Sequence, residues 1–223
     1  MFFLVNFKLF SLLEREDWPA LSYYLEDKIY SKGHYSLKNT RLLATSYMVV
    51  TDYASVLRLE EKTRFAKPLA IKKNVLIFGA ARVLSGKHDG AAAFFEEYLE
   101  EGKGMERQWI HWFYGFSNLL RGVFITAETE FKALVVSSRD ALLAGLSAYF
   151  LSGSIAKHSF EPEKCSALAD EGRARVIKTL KTRENWDKEA EKSGTEIHVA
   201  IIKRFITEAG NWLFLEGINN ESG

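Results

Sequence analysis

The sequence predicts an all-α protein, and three observations support that prediction. Only three of the 223 residues are prolines, so long stretches lack the residue that interrupts helices. Apolar and charged residues follow a helical period rather than a strand period over most of the chain. Glycines such as Gly33, Gly86 and Gly153 follow helical patterns, and glycine is common just beyond a helix C-terminus. We therefore expect a series of short helices joined by turns.

Capping residues and an early proline mark several helix starts. Asp17 precedes Trp18 and Pro19, while Asp89 and Thr126 precede alanine-containing segments. These start and stop signals place helices at about 2–14, 18–31, 37–50, 52–66, 69–85, 90–101, 106–121, 126–136, 139–152, 163–181 and 195–216. Because the connections are short, neighbouring helices are expected to form antiparallel hairpins that stack sideways to bury their apolar faces.

An internal repeat of small and bulky residues supports stacked hairpins. Gly79, Ala91 and Phe95 recur, with identical internal spacing, as Gly115, Ala127 and Phe131. A small residue on each helix lets the two helices cross closely, and a bulky residue one turn further fills the gap to the next hairpin. This pattern resembles the tetratricopeptide repeat family in hairpins at 72–105 and 108–138, with a weaker echo in the segment that begins at Trp18.

The resemblance implies a right-handed α-solenoid of stacked antiparallel helix hairpins with a C-terminal capping helix. Degenerate N-terminal hairpins are expected over 1–66, tetratricopeptide-like hairpins over 67–192, and the capping helix and tail over 193–223, in a single continuous domain. Members of that family bind proteins and peptides and carry no chemistry of their own. The resemblance therefore implies a non-enzymatic binding scaffold or adaptor.

An aromatic stripe on one predicted helix is the candidate binding surface. In the helix at 106–121, a three- and four-residue spacing places on one face the side chains of Trp109, Trp112, Phe113 and Phe116. By resemblance, this stripe lines the concave side of the stack, where neighbouring helices add Leu76, Ala80, Val83, Leu142, Leu146 and Tyr149. The sequence thus predicts an apolar groove for an amphipathic or extended segment of a partner protein.

The same stripe has a second interpretation, in which it belongs to the core. Large aromatic side chains are more often buried than accessible. The C-terminal helix at 195–216 is a candidate cover, because Ile201, Phe205 and Trp212 belong to a wide apolar face on it. The sequence leaves open whether the groove is accessible or filled by this helix.

A basic cluster near the end of the chain also has two interpretations. The cluster comprises Arg173, Arg175, Lys178, Lys181 and Arg183. It could meet an acidic partner, or it could be a solvated helix face whose charge is balanced by the acidic residues that follow.

Net charge, apolar runs and cysteine content indicate which partners and which cellular location to expect. Thirty Lys and Arg against twenty-nine Asp and Glu leave a net charge of +1, so no global field favours nucleic acid or an anionic membrane. No apolar run approaches the roughly 18 residues of a membrane span. The N-terminal apolar segment lacks the basic start and cleavage site of a signal peptide, and the single cysteine, Cys165, cannot form an intramolecular disulfide. A cytoplasmic location is expected.

The sequence contains no complete catalytic or cofactor-binding motif of the common kinds. The segment 81–88 lacks the first glycine and the final Ser or Thr of a phosphate-binding loop. The five histidines lack the four-residue spacing of helical metal ligands, and Cys165 is expected to be a buried, inert thiol. No metal or cofactor is expected, and an all-helical enzyme is the least favoured class. The alternative to the scaffold is a structural subunit of a large assembly, such as a secretion or motility apparatus, acting through its outer surfaces.

Overall fold

Helices account for the regular structure of this chain. The structure, a computed structural model, describes residues 2–214, with side chains from residue 8 onward. Within that range there is no strand, which confirms the all-α prediction for these residues. None of the helices described there is long and apolar enough to cross a bilayer. The chain divides into two units, Met1–Lys87 and His88–Gly223, which are described in turn.

The first unit consists of six α-helices. Its helices are α1 (Phe2–Glu14), α2 (Trp18–Glu26), α3 (Leu37–Val49), α4 (Tyr53–Ala66), α5 (Pro68–Lys72) and α6 (Val75–Leu84), with a π-helical turn at Asp27–Ser31 after α2. Asp17 caps α2, because its carboxylate accepts a hydrogen bond from the Ala20 N–H at 3.1 Å. Successive helices α1 to α4 pack against one another, and α6 packs on α3 and α4.

One predicted helix of this unit is interrupted. The pattern at 69–85 predicts a single helix, whereas α5 ends at Lys72 and α6 begins at Val75. The buried Asn74 side chain donates a hydrogen bond to the Ala70 carbonyl at 2.8 Å. Asparagine competes in this way with the helical hydrogen bonds of the backbone, which explains a break inside an otherwise apolar helical pattern.

The second unit holds the remaining helices. They are α7 (His88–Glu97), α8 (Met105–Leu120), α9 (Phe124–Ser137), α10 (Ala141–Phe150), α11 (Pro162–Leu180), α12 (Arg183–Ser193), α13 (Ile197–Ala200) and α14 (Lys203–Phe214). A π-helical turn at Leu151–Ile155 and a 3₁₀ turn at Ala156–His158 fill most of the connection from α10 to α11. The boundary between the units separates α6 from α7, so the helices of the predicted hairpin at 72–105 belong to different units.

The C-terminal segment differs from the prediction in two places. α12 was not predicted, although Thr182 caps it by accepting a hydrogen bond from the Asn185 N–H at 3.3 Å. The helix predicted at 195–216 is divided into α13 and α14 at Ile201 and Ile202. There the Ile202 N–H bonds to the Val199 carbonyl, three residues back, at 3.1 Å, which tightens the end of α13.

Within this unit each helix from α7 to α11 packs against the next, and glycines allow two of the close approaches. A Cβ atom at Gly115 on α8 would lie 3.0 Å from the Glu130 Cβ of α9. A Cβ at Gly172 on α11 would lie 2.8 Å from a methyl group of Val135 on α9. The absence of side chains at these points lets the helix backbones approach.

Trp186 of α12 is held between two further glycines. Its side chain is fully buried, and its indole N–H donates to the Ile206 carbonyl of α14 at 3.1 Å. A Cβ at Gly145 of α10 would lie 2.6 Å from the indole ring, and a Cβ at Gly210 of α14 would lie 2.6 Å from the indole nitrogen. The indole therefore joins α10, α12 and α14 in one tight contact.

We predict that Gly145→Ala destabilises the protein by about 1–3 kcal/mol, because the added methyl overlaps the Trp186 ring, which is fully buried. Urea unfolding followed by circular dichroism measures the change. Gly153→Ala is the matched control, since nothing lies within 4 Å of a Cβ there. Equal stability of the two variants would show that the ring is not confined as described.

Candidate functional site

The predicted aromatic stripe lies along α8 and is buried. Trp109, Trp112, Phe113 and Phe116 are 4%, 0%, 0% and 3% exposed. The three- and four-residue spacing correctly placed these rings together, since the Trp112 and Phe116 rings stack with centroids 5.0 Å apart. The stripe is thus part of the core of the second unit.

Rings from the C-terminal segment cover this stripe. Phe205 of α14 packs on Phe116 with centroids 5.2 Å apart, and His198 of α13 packs on Trp109 at 5.2 Å. The Phe150 ring of α10 lies 6.0 Å from the Trp112 ring and 5.4 Å from the Phe205 ring, centroid to centroid. Of the two interpretations left open by the sequence, these contacts favour the one in which the stripe is core covered by the C-terminal helices, here α13 and α14.

The other predicted groove residues divide between the two units. Leu76, partly exposed, and Val83, 8% exposed, lie on α6 in the first unit. Leu142 and Leu146 are buried on α10 in the second unit. Tyr149 on α10 is partly exposed, and its hydroxyl donates to the Glu208 carboxylate of α14 at 3.2 Å. Burial and the nearby Glu208 charge raise the pKa of Tyr149.

One end of the stripe borders an open cavity of about 410 Å³. Aromatic and aliphatic side chains form most of its wall, namely Phe116, Leu119, Leu120, Phe124, Phe150 and Phe205. Lys157 and His158, from the turn after α10, add a polar edge. The His158 ring stacks on Phe124 with centroids 3.8 Å apart, which holds this turn against the start of α9.

Exposed apolar side chains accompany the cavity on the α8–α9 connection. Leu120, which lines the cavity, is 40% exposed, and Val123 and Ile125 nearby in the chain are 38% and 65% exposed. Gly122 gives the connection its sharp turn, since its φ of +76° lies in the region that favours glycine. The sequence pattern indicated Phe116 as a site residue and Phe205 as part of a possible cover. It did not indicate Phe124 and Phe150, whose proximity to Phe116 depends on tertiary packing.

The basic cluster serves internal contacts that neither of its interpretations anticipated. The Arg173 guanidinium donates two 3.3 Å hydrogen bonds to the Leu213 carbonyl near the end of α14 and lies over the Trp212 ring. Arg175 donates to the Val136 carbonyl at 3.2 Å and to the Ser138 carbonyl at 3.3 Å, at the end of α9. These two arginines therefore connect α11 to the last residues of α14 and to the C-terminal end of α9.

Residues considered for chemistry lie in structural positions. Cys165 is buried, and burial together with the Glu128 charge raises the pKa of its thiol, as expected for an inert cysteine. The segment 81–88 runs from the end of α6 through Gly86 to the start of α7, with no strand before it. Across residues 8–214, no three His, Cys, Asp or Glu side chains form a group suited to a metal ion.

We predict that Trp112→Ala lowers the free energy of unfolding by about 3–5 kcal/mol, because the indole is fully buried among five other aromatic rings. Thermal and chemical unfolding measure the loss. Phe160→Ala, at a ring that is 89% exposed in the same unit, should leave stability nearly unchanged. A small effect at Trp112 would contradict its assignment to the core.

Comparisons with known proteins revise the family assignment. An "Uncharacterized protein" of Treponema pallidum (strain Nichols) is 26% identical over 216 residues, which are 94% of this chain and 69% of that relative. No solved structure matches the chain.

The resemblance to tetratricopeptide repeats is wrong, because the family model that matches is a different one. Small and bulky residues at helical spacing reflect close helix crossings in general, so they do not identify a family. The chain belongs to the family described as "Uncharacterised Treponema protein", whose model matches residues 55–215.

Proposed function

We propose that the chain is a non-enzymatic protein-binding module that holds a partner through the cavity beside Phe116. The observation that carries this proposal is an open cavity of about 410 Å³ whose wall is mostly aromatic and aliphatic. A cavity of this size and lining is suited to one large apolar side chain of a partner. Burying such a side chain contributes about 1.5–3 kcal/mol, enough for it to act as an anchor.

The edge of the cavity supports recognition of a protein segment rather than a free apolar molecule. Leu120, Val123 and Ile125 expose apolar side chains at and beside the α8–α9 connection, and Lys157 adds a positive charge to the lining of the cavity. An amphipathic helix or an extended segment offers apolar side chains at regular intervals with polar groups between them. Such a segment would place one anchor in the cavity and others along the connection.

In this proposal the predicted aromatic stripe has a divided role. Phe116 contacts the partner's anchor, while Trp109, Trp112 and Phe113 fix the position of α8 from within the core.

The proposal also includes the stacked-hairpin arrangement, with α14 as its cap. It is supported by the packing of each helix from α7 to α11 on the next and of α14 on α10.

We predict that a photo-activatable cross-linker at position 120 forms a covalent adduct with a discrete partner protein in an extract of the source cells. The purified partner should then bind Leu120→Asp about 30-fold more weakly than the unmodified chain, because a carboxylate would be placed in an apolar contact. Met105→Asp is the control, since Met105 is 55% exposed in the same unit and does not line this cavity.

Three results would count against the cavity. Absence of any discrete adduct would contradict partner binding at this position. Equal affinities of Leu120→Asp and Met105→Asp would show that the partner binds elsewhere. Adducts formed only between copies of this chain would instead favour the structural-subunit alternative.

A further inference from the structure

A second cavity, in the first unit, combines charged and apolar groups. It measures about 660 Å³ and lies beside α4 and α6. Its charged lining consists of four basic and two acidic side chains, which are Arg58, Arg64, Arg82, Lys87, Glu60 and Glu61. These leave an excess of two positive charges in one place, in a chain whose overall net charge is only +1. Positive potential is therefore concentrated at this cavity.

Glu60 holds two of these cations in position. It is 1% exposed, and one carboxylate oxygen accepts from the Arg64 guanidinium at 3.0 Å while the other accepts from Arg82. A buried carboxylate requires such partners, because its charge has lost the stabilisation of water. The guanidiniums keep 35% and 24% of their side-chain surface exposed. They are thus fixed by Glu60 and still face solvent in part.

Two further cations add charge that no buried carboxylate balances. Arg58 is exposed and donates a 2.7 Å hydrogen bond to the Ser55 hydroxyl, which in turn donates to the partly exposed Asp52 carboxylate at 2.5 Å. Lys87 is exposed at the end of the unit. Preorganised guanidiniums beside exposed cations favour an anionic ligand, since little conformational entropy is lost when it binds.

The same cavity has an apolar wall. Phe65 is 84% exposed and lines the cavity together with the partly exposed Leu57. A ring of this size in contact with water favours a ligand that also brings an apolar group.

We propose that this cavity binds an acidic protein segment in which carboxylates flank one apolar side chain. The carboxylates would contact Arg58, Lys87 and the exposed parts of Arg64 and Arg82, and the apolar side chain would pack on Phe65. This site lies wholly within the first unit, so it stands independently of the cavity beside Phe116.

The test uses the full chain and a fluorescein-labelled peptide, Asp-Asp-Phe-Asp-Asp, with binding followed by fluorescence anisotropy. Two control peptides separate the contributions: Asn-Asn-Phe-Asn-Asn lacks the charges, and Asp-Asp-Ser-Asp-Asp lacks the ring. We expect each control to bind at least about fivefold more weakly, since each removes one of the two contacts. Affinity for the first peptide should also fall by at least about fivefold between 0.05 and 0.5 M NaCl.

Charge-reversal variants locate the site. The pair Arg58→Glu and Lys87→Glu should weaken peptide binding at least about tenfold, because two attractive contacts become repulsive. The matched pair Lys67→Glu and Lys73→Glu changes the net charge equally at exposed positions of the same unit outside the cavity, and it should stay within about twofold. All four positions are exposed, and thermal unfolding confirms that both double variants are folded.

Several outcomes would overturn the assignment. Equal loss in both double variants would show non-specific charge attraction, and equal binding of the uncharged peptide would remove the role of the arginines. Binding of inorganic phosphate at millimolar concentration without binding of the peptide would make this a small-anion site. Leu120→Asp should bind the peptide as the unmodified chain does, so failure here and failure of the cavity beside Phe116 are distinguishable.

Discussion

The contact of Trp186 with Gly145 and Gly210 determines how the C-terminal helices sit on the second unit. An indole of this size fits between α10 and α14 only where both helices lack a side chain. Its hydrogen bond to the Ile206 carbonyl also fixes the position of α14 along its own axis. Trp186 of α12 therefore positions α14, and with it the contacts that the side chains of α14 make with other helices.

The position of α14 in turn determines which part of the aromatic stripe is exposed to solvent. With α14 in place, Phe205 covers Phe116 and Phe150, and most of the stripe is closed to solvent. The part left open, beside Leu120 and Phe124, becomes the cavity. The exposure of the aromatic side chains along α8 thus depends on how α14 packs. The proposed binding surface is the part of this aromatic cluster that α14 leaves uncovered.

Local sequence signals predicted most of the helices but not the sites. Asp17 indicated a helix start correctly because a cap acts within three residues, and the spacing of the α8 aromatics placed them on one face. The break at Asn74 was missed because an asparagine in an apolar pattern has no single outcome. Arg82 and Glu60 are 22 residues apart on different helices, so no local pattern indicates their ion pair. Family identity was mistaken for the related reason that close helix crossings share small residues whatever their ancestry.

The closed environment of Cys165 has a practical consequence for spectroscopy of this chain. The thiol is buried on α11, which limits access by maleimide reagents, and burial raises its pKa, which disfavours the reactive thiolate. A cysteine introduced at an exposed position can therefore be labelled selectively without first removing the native one. Paired dyes or spin labels attached in this way would measure distances between the two units in solution, with the wild-type core left intact.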